Sequence, residues 1–245
     1  MNEILRSLHA RKSVRVFTGE PVTAEEKAAL LNAAVQAPTA GNQQLYTILD
    51  ITDQAKKEQL AVLCDNQPFI AQAEVVLVFL ADCQKWYDAF RFGGCAPRKP
   101  GLGDLLLAVS DANIAAQNAV VAGESLGLGS CYIGDVMEHR EEMRELLALP
   151  EYVFPAAMLV FGRPTQQQKD RPKPKRVAME HIVHENGYRT MDGAELKTML
   201  EGKAGAVSYE QWLSAFCTRK YNSDFSREMS RSVEGYCRVF ASDQA

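Results

Sequence analysis

The sequence has no C-x-x-C pair, no G-x-G-x-x-G behind a strand, no internal repeat and no uncharged apolar run long enough to cross a bilayer. Each absence excludes something. The six cysteines, Cys64, Cys83, Cys95, Cys131, Cys217 and Cys237, lie far apart. That spacing argues against a structural zinc site or a thioredoxin-like motif. Most sit in apolar surroundings and read as small core residues, which suits a reducing, cytoplasmic setting. Without the glycine-rich turn, a classical Rossmann dinucleotide site is not supported. The longest apolar stretch, residues 104–126, carries Asp104, Asp111 and Glu124, which argues against a membrane span. Basic excess is also missing: the formal net charge is -4, so neither nucleic acid nor an anionic membrane is an expected partner. Met1-Asn2-Glu3 opens no basic, then apolar, leader, so no signal peptide is expected. Of four histidines, His181 and His184 have a metal-like i, i+3 spacing but no third ligand beside them, and a surface turn is the better reading.

Against this acidic background the opening stretch Arg11-Lys12-Ser13-Val14-Arg15 concentrates three cations and a hydroxyl. In extended backbone Arg11, Ser13 and Arg15 alternate with Lys12 and Val14 and face one way. Two guanidinium forks and a hydroxyl suit a phosphate, although five such residues alone also describe a solvated turn. A second basic run follows at residues 163–176, where Arg163, Lys169, Arg171, Lys173, Lys175 and Arg176 mix with three prolines. It reads as a linker or, placed directly after a core strand, as a ligand loop.

Between these runs the pattern is mixed. Thr23-x-x-Glu26 is a capping box ahead of a helix that Pro38 stops. Pro38-Thr39-Ala40-Gly41-Asn42-Gln43-Gln44 is small and rich in hydroxyl and amide groups, either a plain connection or a loop that approaches a flat ligand. Strands are expected over 46–51, 75–80 and 155–162, with a short one among the glycines of 127–134, and a helix over 54–63. Residues 86–103 read as a pocket cover or an irregular excursion. Residues 104–126 form a small-sided helix, apolar almost all round, of the kind buried in the middle of a domain, which argues for one domain. A charged amphipathic helix is expected over 138–147. Two tail helices over 208–240 carry Trp212, Phe216, Tyr221, Phe225, Met229, Val233, Tyr236 and Phe240, a stripe suited to a partner subunit.

Taken in order, these pieces resemble the nitroreductase family of FMN flavoproteins. Arg11-Lys12-Ser13-Val14-Arg15-Val16-Phe17 resembles its R-x-S-x-R-x-[FY] start, and Ala37-Pro38-Thr39-Ala40-Gly41-Asn42-Gln43 its A-P-S/T-x-x-N-x-Q loop. Gly127-Leu128-Gly129-Ser130-Cys131-Tyr132-Ile133-Gly134 is similar to its G-L-G-x-x-[YW]-[IL]-G segment. Arg171-Pro172-Lys173 is similar to its K-P-R element with the cations exchanged. The tail, with Arg219-Lys220-Tyr221 and Met229-Ser230-Arg231-Ser232, is similar to the extension of the larger, oxygen-insensitive, NADPH-preferring branch.

The resemblance implies an α+β fold with a central, mostly antiparallel sheet flanked by helices. It implies a single domain over 1–245, an FMN-binding core at 1–178 and a C-terminal helical extension at 179–245 at the interface of a homodimer. By resemblance, Arg11, Ser13, Arg171 and Lys173 hold the FMN phosphate, with Lys12 beside them. Arg15 lies at the pyrimidine edge of the ring, where a cation favours the reduced flavin. Pro38, Thr39 and Gln43 belong to a loop that lines the ring or reaches it from the other subunit. Gln67 bonds the ribityl chain or ring edge, and Tyr132, Ile133 and Gly134 cover one face. The implied activity is NAD(P)H-dependent, ping-pong reduction of nitroaromatics or quinones, with flavin N5 and no catalytic side chain or metal carrying the chemistry. A flavin reductase, another flavoenzyme on the same fold, and a non-catalytic flavin-binding or redox-sensing protein remain the alternatives.

Overall fold

A computed structural model describes residues 1–241. Its helices are α1 Glu3–Ala10, α2 Ala24–Val35, α3 Gln54–Leu63, α4 Phe69–Gln72, α5 Gln84–Phe92, α6 Leu102–Ser125, α7 Arg140–Leu147, α8 Gln166–Asp170, α9 Gly193–Leu200, α10 Tyr209–Lys220 and α11 Asp224–Ala241. The strands are β1 Tyr46–Asp50, β2 Val75–Asp82, β3 Gly129–Ile133 and β4 Val153–Gly162. They form one antiparallel sheet in the order β1-β2-β4-β3. Every residue of β2 and β4 is buried, which is why both read as unbroken apolar runs.

Helix α6 packs on this sheet through Ala108, Ala112, Ala115, Ala116 and Ala119, all fully buried. Small side chains let a helix come close to a sheet, and Gly123 brings it against Phe161. Burial is one-sided, against the expectation from its composition. Leu106, Leu107 and Ile114 on the other side are 67%, 50% and 41% exposed. Helix α6 is long and apolar enough for a membrane span, but its alanine face is the core of the sheet. Helix α2 carries the expected Thr23/Glu26 capping box, and Glu26 also holds Arg163 at 2.9 Å. One cation of the second basic run is thus structural.

The chain divides into two compact units, one made of Met1–Pro172 with the chain from Met229 on, the other of Lys173–Glu228. The boundary differs from the expected division after residue 178. The tail from Met229 on also falls in the first unit, because this part of α11 packs there. There Tyr236 meets Phe154 edge-on at 5.1 Å, Phe240 meets Tyr152 at 5.5 Å, and Ser232 Oγ donates to Met137 O at 2.6 Å. Arg231 pairs with Glu141 at 2.8 Å. The apolar stripe from Met229 onward is therefore spent largely on its own chain. Within the second unit, Trp212 and Phe216 stack at 5.1 Å, and α9, with its Asp192/Glu195 capping box, adds to the helices read from the sequence.

Candidate functional site

The site is built on an extended segment laid along the edge of the sheet. Helix α1 ends where Arg11 N–H donates to Ser7 O at 2.8 Å. The chain then runs parallel to β3: Ser13 bridges Ser130, and Val14 N–H donates to Ser130 O at 2.9 Å. Further on, Phe17 bridges Pro164. Two glycines paired across the sheet, Gly129 in β3 and Gly162 in β4, make the approach possible. A Cβ on Gly129 would lie 2.6 Å from Val14 Cγ2, and one on Gly162 would lie 2.7 Å from Phe17 Cδ1. No real Cβ tolerates such contacts, so glycine is required here for space.

Alternation along the segment does what the sequence predicts. Val14 is buried, whereas Arg11, Ser13 and Arg15 gather around Cys131 of β3. Burial raises the Cys131 thiol pKa, and Arg15, Ser13 and Arg11 partly offset the rise. The Arg11 guanidinium sits 5.8 Å from the Tyr132 ring centre, and its Nε and Nη2 are buried without partners. Arg171 Nη2 donates to Ser13 O, while Arg171 Nε is likewise buried and unpartnered. Lys12 is turned instead to the backbone, where its Nζ donates to Lys169 O at 2.6 Å and to Arg171 O. Gln168 Oε1 accepts from Arg15 N–H at 3.4 Å. The segment 11–15 and the turn 168–171 therefore hold each other in both directions. Lys173 begins the second unit, so of the two cations in the Arg171-Pro172-Lys173 element the first unit contains only Arg171.

These orphaned donors test the site against an anion. A buried donor without an acceptor costs about 1–3 kcal/mol, more when charged. Two guanidinium groups share this deficit around one exposed-edge segment, and a phosphate supplies acceptors in the number and charge they lack. The residues present therefore fit the FMN phosphate.

Two further groups stand beside or apart from the cluster. Tyr132 O–H donates to Gln117 Oε1 at 3.3 Å, and burial pushes the phenol up to about 12, so it stays neutral. Ile133 is buried and Gly134 exposed at the end of β3. Gln67 Nε2 donates to Cys64 O at 2.8 Å and to Asp135, the residue after Gly134. The loop with Pro38, Thr39 and Gln43 is held elsewhere. Asp111 on α6, only 3% exposed, accepts from Ala40 N–H at 3.0 Å and Leu45 N–H at 3.2 Å. Trp86 Nε1 donates to Gln43 O at 2.7 Å, so α5 supports this loop instead of standing free as an excursion. Among the described residues, no hydrogen bond, ion pair or ring contact joins this loop to the Arg11 cluster. Asp111, Asp135 and Gln168 were not among the site residues read from the sequence. Only Asp111 left a local signal, a carboxylate in the middle of an alanine-rich helix. No group of three or more metal-ligating side chains occurs among the described residues.

The family model described as "Nitroreductase family" matches residues 8–163, more than half of the chain. The chain belongs to the nitroreductase family. Its fold is the α+β, nitroreductase-like one. This nitroreductase is 33% identical to the FMN reductase (NAD(P)H) of Bacillus subtilis, over 96% of this chain and 91% of that protein. It is 37% identical to the oxygen-insensitive NADPH nitroreductase of Salmonella typhimurium, over 78% of this chain and 77% of that one. The solved structure of Bacillus megaterium NfrA2 superposes with a TM-score of 0.83 at 31% identity, covering 96% of this chain and 98% of that one.

Proposed function

We propose that this nitroreductase works as a homodimer with FMN sites completed by both copies, and passes electrons from NAD(P)H to nitroaromatic or quinone acceptors by ping-pong turnover. The coarser activity follows from the family and its relatives: the chain is an NAD(P)H-dependent oxidoreductase with FMN as its cofactor. The observation that carries the assignment of residues is the pair of buried, unpartnered guanidinium groups, Arg11 and Arg171, on either side of Ser13. With Ser13 Oγ they take the phosphate. Lys12 acts at one remove, by holding the carbonyls on which Arg171 rests. Tyr132, Ile133 and Gly134 cover one face of the ring, and Gln67 presents an acceptor. Pro38, Thr39 and Gln43, anchored by Asp111 away from the cluster, serve the other copy's site.

FMN, once bound, supplies hydride acceptance from the nicotinamide and two-electron donation to the acceptor. The protein's part is to bind, orient and bias charge. Arg15 places a cation where negative charge develops at the ring. Arg15→Gln keeps donors but removes that charge, and phosphate contacts are untouched. The expected result is full FMN loading with a lower flavin midpoint potential and slower reduction by NADPH, about 30 mV for each tenfold difference in binding between the two redox states. An anaerobic titration against a reference dye measures it.

The apolar surface left on α1 and α6 supports dimerisation. Ile4, Leu5 and Leu8 are exposed on α1, and Leu102, Leu106, Leu107 and Ile114 on α6. An exposed apolar surface of this kind marks an interaction site. Leu106→Asp with Ile114→Asp should give monomers in sedimentation that retain little FMN. A dimer that persists with FMN bound would move the interface away from α6. All six cysteines are unpaired, which supports a cytoplasmic location.

One experiment tests the whole reading. Purified protein should show a flavin spectrum that NADPH bleaches anaerobically and a nitroaromatic restores, with parallel double-reciprocal lines in steady state. Flavin that binds but does not bleach would make the protein a flavin-binding sensor. Bleaching restored by free flavin but by no nitroaromatic or quinone would make it a flavin reductase.

A further inference from the structure

Gln67 stands where two loops meet. On one side α3 ends at Leu63, and Asp65 and Asn66 follow in left-handed backbone at φ 62° and 53°. Two such non-glycine residues in succession are kept only where the surroundings hold them. Here Gln67 N–H donates to Ala61 O at 2.9 Å, and Ile70 N–H donates to Gln67 O at 3.1 Å. The Gln67 backbone is thus clamped from both directions. On the other side β3 ends at Ile133, and Gly134 leads into a tight turn closed by Met137 N–H on Gly134 O at 3.0 Å.

The side chain joins the two. Gln67 Nε2 has two hydrogens. One goes to Cys64 O at 2.8 Å and the other to Asp135 Oδ2. A backbone carbonyl and an ionised carboxylate accept and never donate. Amide orientation is ordinarily a matter of inference, but here chemistry removes the choice. Turning the carboxamide over would set its oxygen against two other oxygens. Both donors are consumed, and Oε1 is the one polar atom of the side chain with no partner among the described residues.

We infer that Asp135 is a positioning residue that locks the Gln67 carboxamide with its oxygen presented to the ligand, so that this point of the site accepts only an N–H or O–H donor. The inference rests on the proposal that Gln67 faces FMN. It adds a residue to that site and states what Gln67 demands there: a hydroxyl of the ribityl chain or the ring N3–H satisfies it, and a ligand carbonyl does not. Cys64 O alone cannot enforce this, because a carboxamide held at one hydrogen still rotates away from its productive setting.

Fluorescence titration of apoprotein with FMN and with riboflavin supplies the test, on wild type, Asp135→Leu, Asp135→Asn, Gln67→Leu, Asp135→Leu/Gln67→Leu and Arg11→Ala. Asp135→Leu is nearly isosteric and removes the acceptor, and a lost hydrogen bond of this kind should weaken FMN and riboflavin alike, by about five- to tenfold. Asp135→Asn keeps an acceptor oxygen and should stay within about threefold of wild type. In the Gln67→Leu background, Asp135→Leu should add nothing, because its effect passes through Gln67. Additive losses in the double variant, or equal losses for Asp135→Asn and Asp135→Leu, would overturn the inference, the first pointing to general stability and the second to charge. Unchanged affinity in Asp135→Leu would overturn it as well. Should Asp135→Leu not fold, Asp135→Ala removes the same acceptor with less bulk and is judged by the same outcomes. Arg11→Ala separates the two levels: if it leaves the FMN-to-riboflavin preference intact, the phosphate assignment has failed, whatever Asp135 does.

Discussion

Gly129→Ala is expected to unseat the cofactor site although the residue itself touches no ligand. The new Cβ would sit 2.6 Å from Val14 Cγ2, 2.7 Å from Val14 Cβ and 2.8 Å from Val14 Cγ1, so rotating the valine relieves nothing. The backbone between Arg11 and Arg15 must lift from β3 instead. Overpacking of this kind costs about 1–3 kcal/mol of stability. The same displacement moves Arg11, Ser13 and Arg15 together and breaks the bond from Arg171 Nη2 to Ser13 O, so FMN affinity should fall well beyond tenfold, each 1.4 kcal/mol being about a factor of ten. Adding Val14→Gly removes all three contacting atoms and should restore much of the FMN affinity, although that change alone costs stability by leaving a cavity and a freer backbone. The measurements are thermal unfolding and FMN titration of the two single variants and the double. If the double variant is no better than Gly129→Ala, steric pressure on Val14 is not the route by which this glycine serves the site.

The second large effect is expected from Arg11→Ala. Arg11 has two buried, unpartnered nitrogens, and hydrogen bonds between a guanidinium and a phosphate contribute about 1.5–3 kcal/mol each. FMN affinity should therefore fall by tenfold or more. Riboflavin, which lacks the phosphate, should lose far less, and the FMN-to-riboflavin ratio is the diagnostic number. The fold should suffer little, since the Arg11 Nε and Nη2 have no hydrogen-bond partner to lose, the backbone bond to Ser7 O survives the change, and the guanidinium contributes a ring contact with Tyr132. Unmet buried donors cost the apoprotein stability, so apoprotein Arg11→Ala should melt no lower than wild-type apoprotein. The holo forms should reverse that order, because bound ligand stabilises by an amount that grows with the logarithm of its affinity. An unchanged FMN-to-riboflavin ratio would place the phosphate elsewhere.

Asp111 shows how the loop ahead of β1 depends on a single buried carboxylate. Its two oxygens hold Ala40 and Leu45 N–H groups, and between them Gly41, Asn42 and Gln44 all have positive φ. Such a loop keeps its shape only if something fixes its ends. The carboxylate on α6 and the Trp86 indole on α5 do so.

Much of this protein is decided by residues close together in the chain. The buried strands β2 and β4 follow from unbroken apolar runs, α2 from its capping box and the proline after it, and the alternation of Arg11, Ser13 and Arg15 from period two. These features involve neighbours, and neighbouring residues carry their own geometry. The order of four weak motifs sufficed to place the chain in its family. What the sequence left open is where long-range partners meet. Lys12 is indistinguishable from Arg11 as a cation in the sequence, yet it is committed to carbonyls 157 and 159 residues away. Nothing along the chain links Gly129 to Gly162; the sheet register sets them side by side under Val14 and Phe17. Asp135 gains its role from a glutamine 68 positions earlier. The stripe on α11 is equally apolar whether it faces a partner or its own chain, and only the packing of Tyr236 and Phe240 on Phe154 and Tyr152 chooses between them. Local pattern states what a side chain is able to do; which donor finds which acceptor is set by the fold, because burial and hydrogen bonding are satisfied in space and not along the chain.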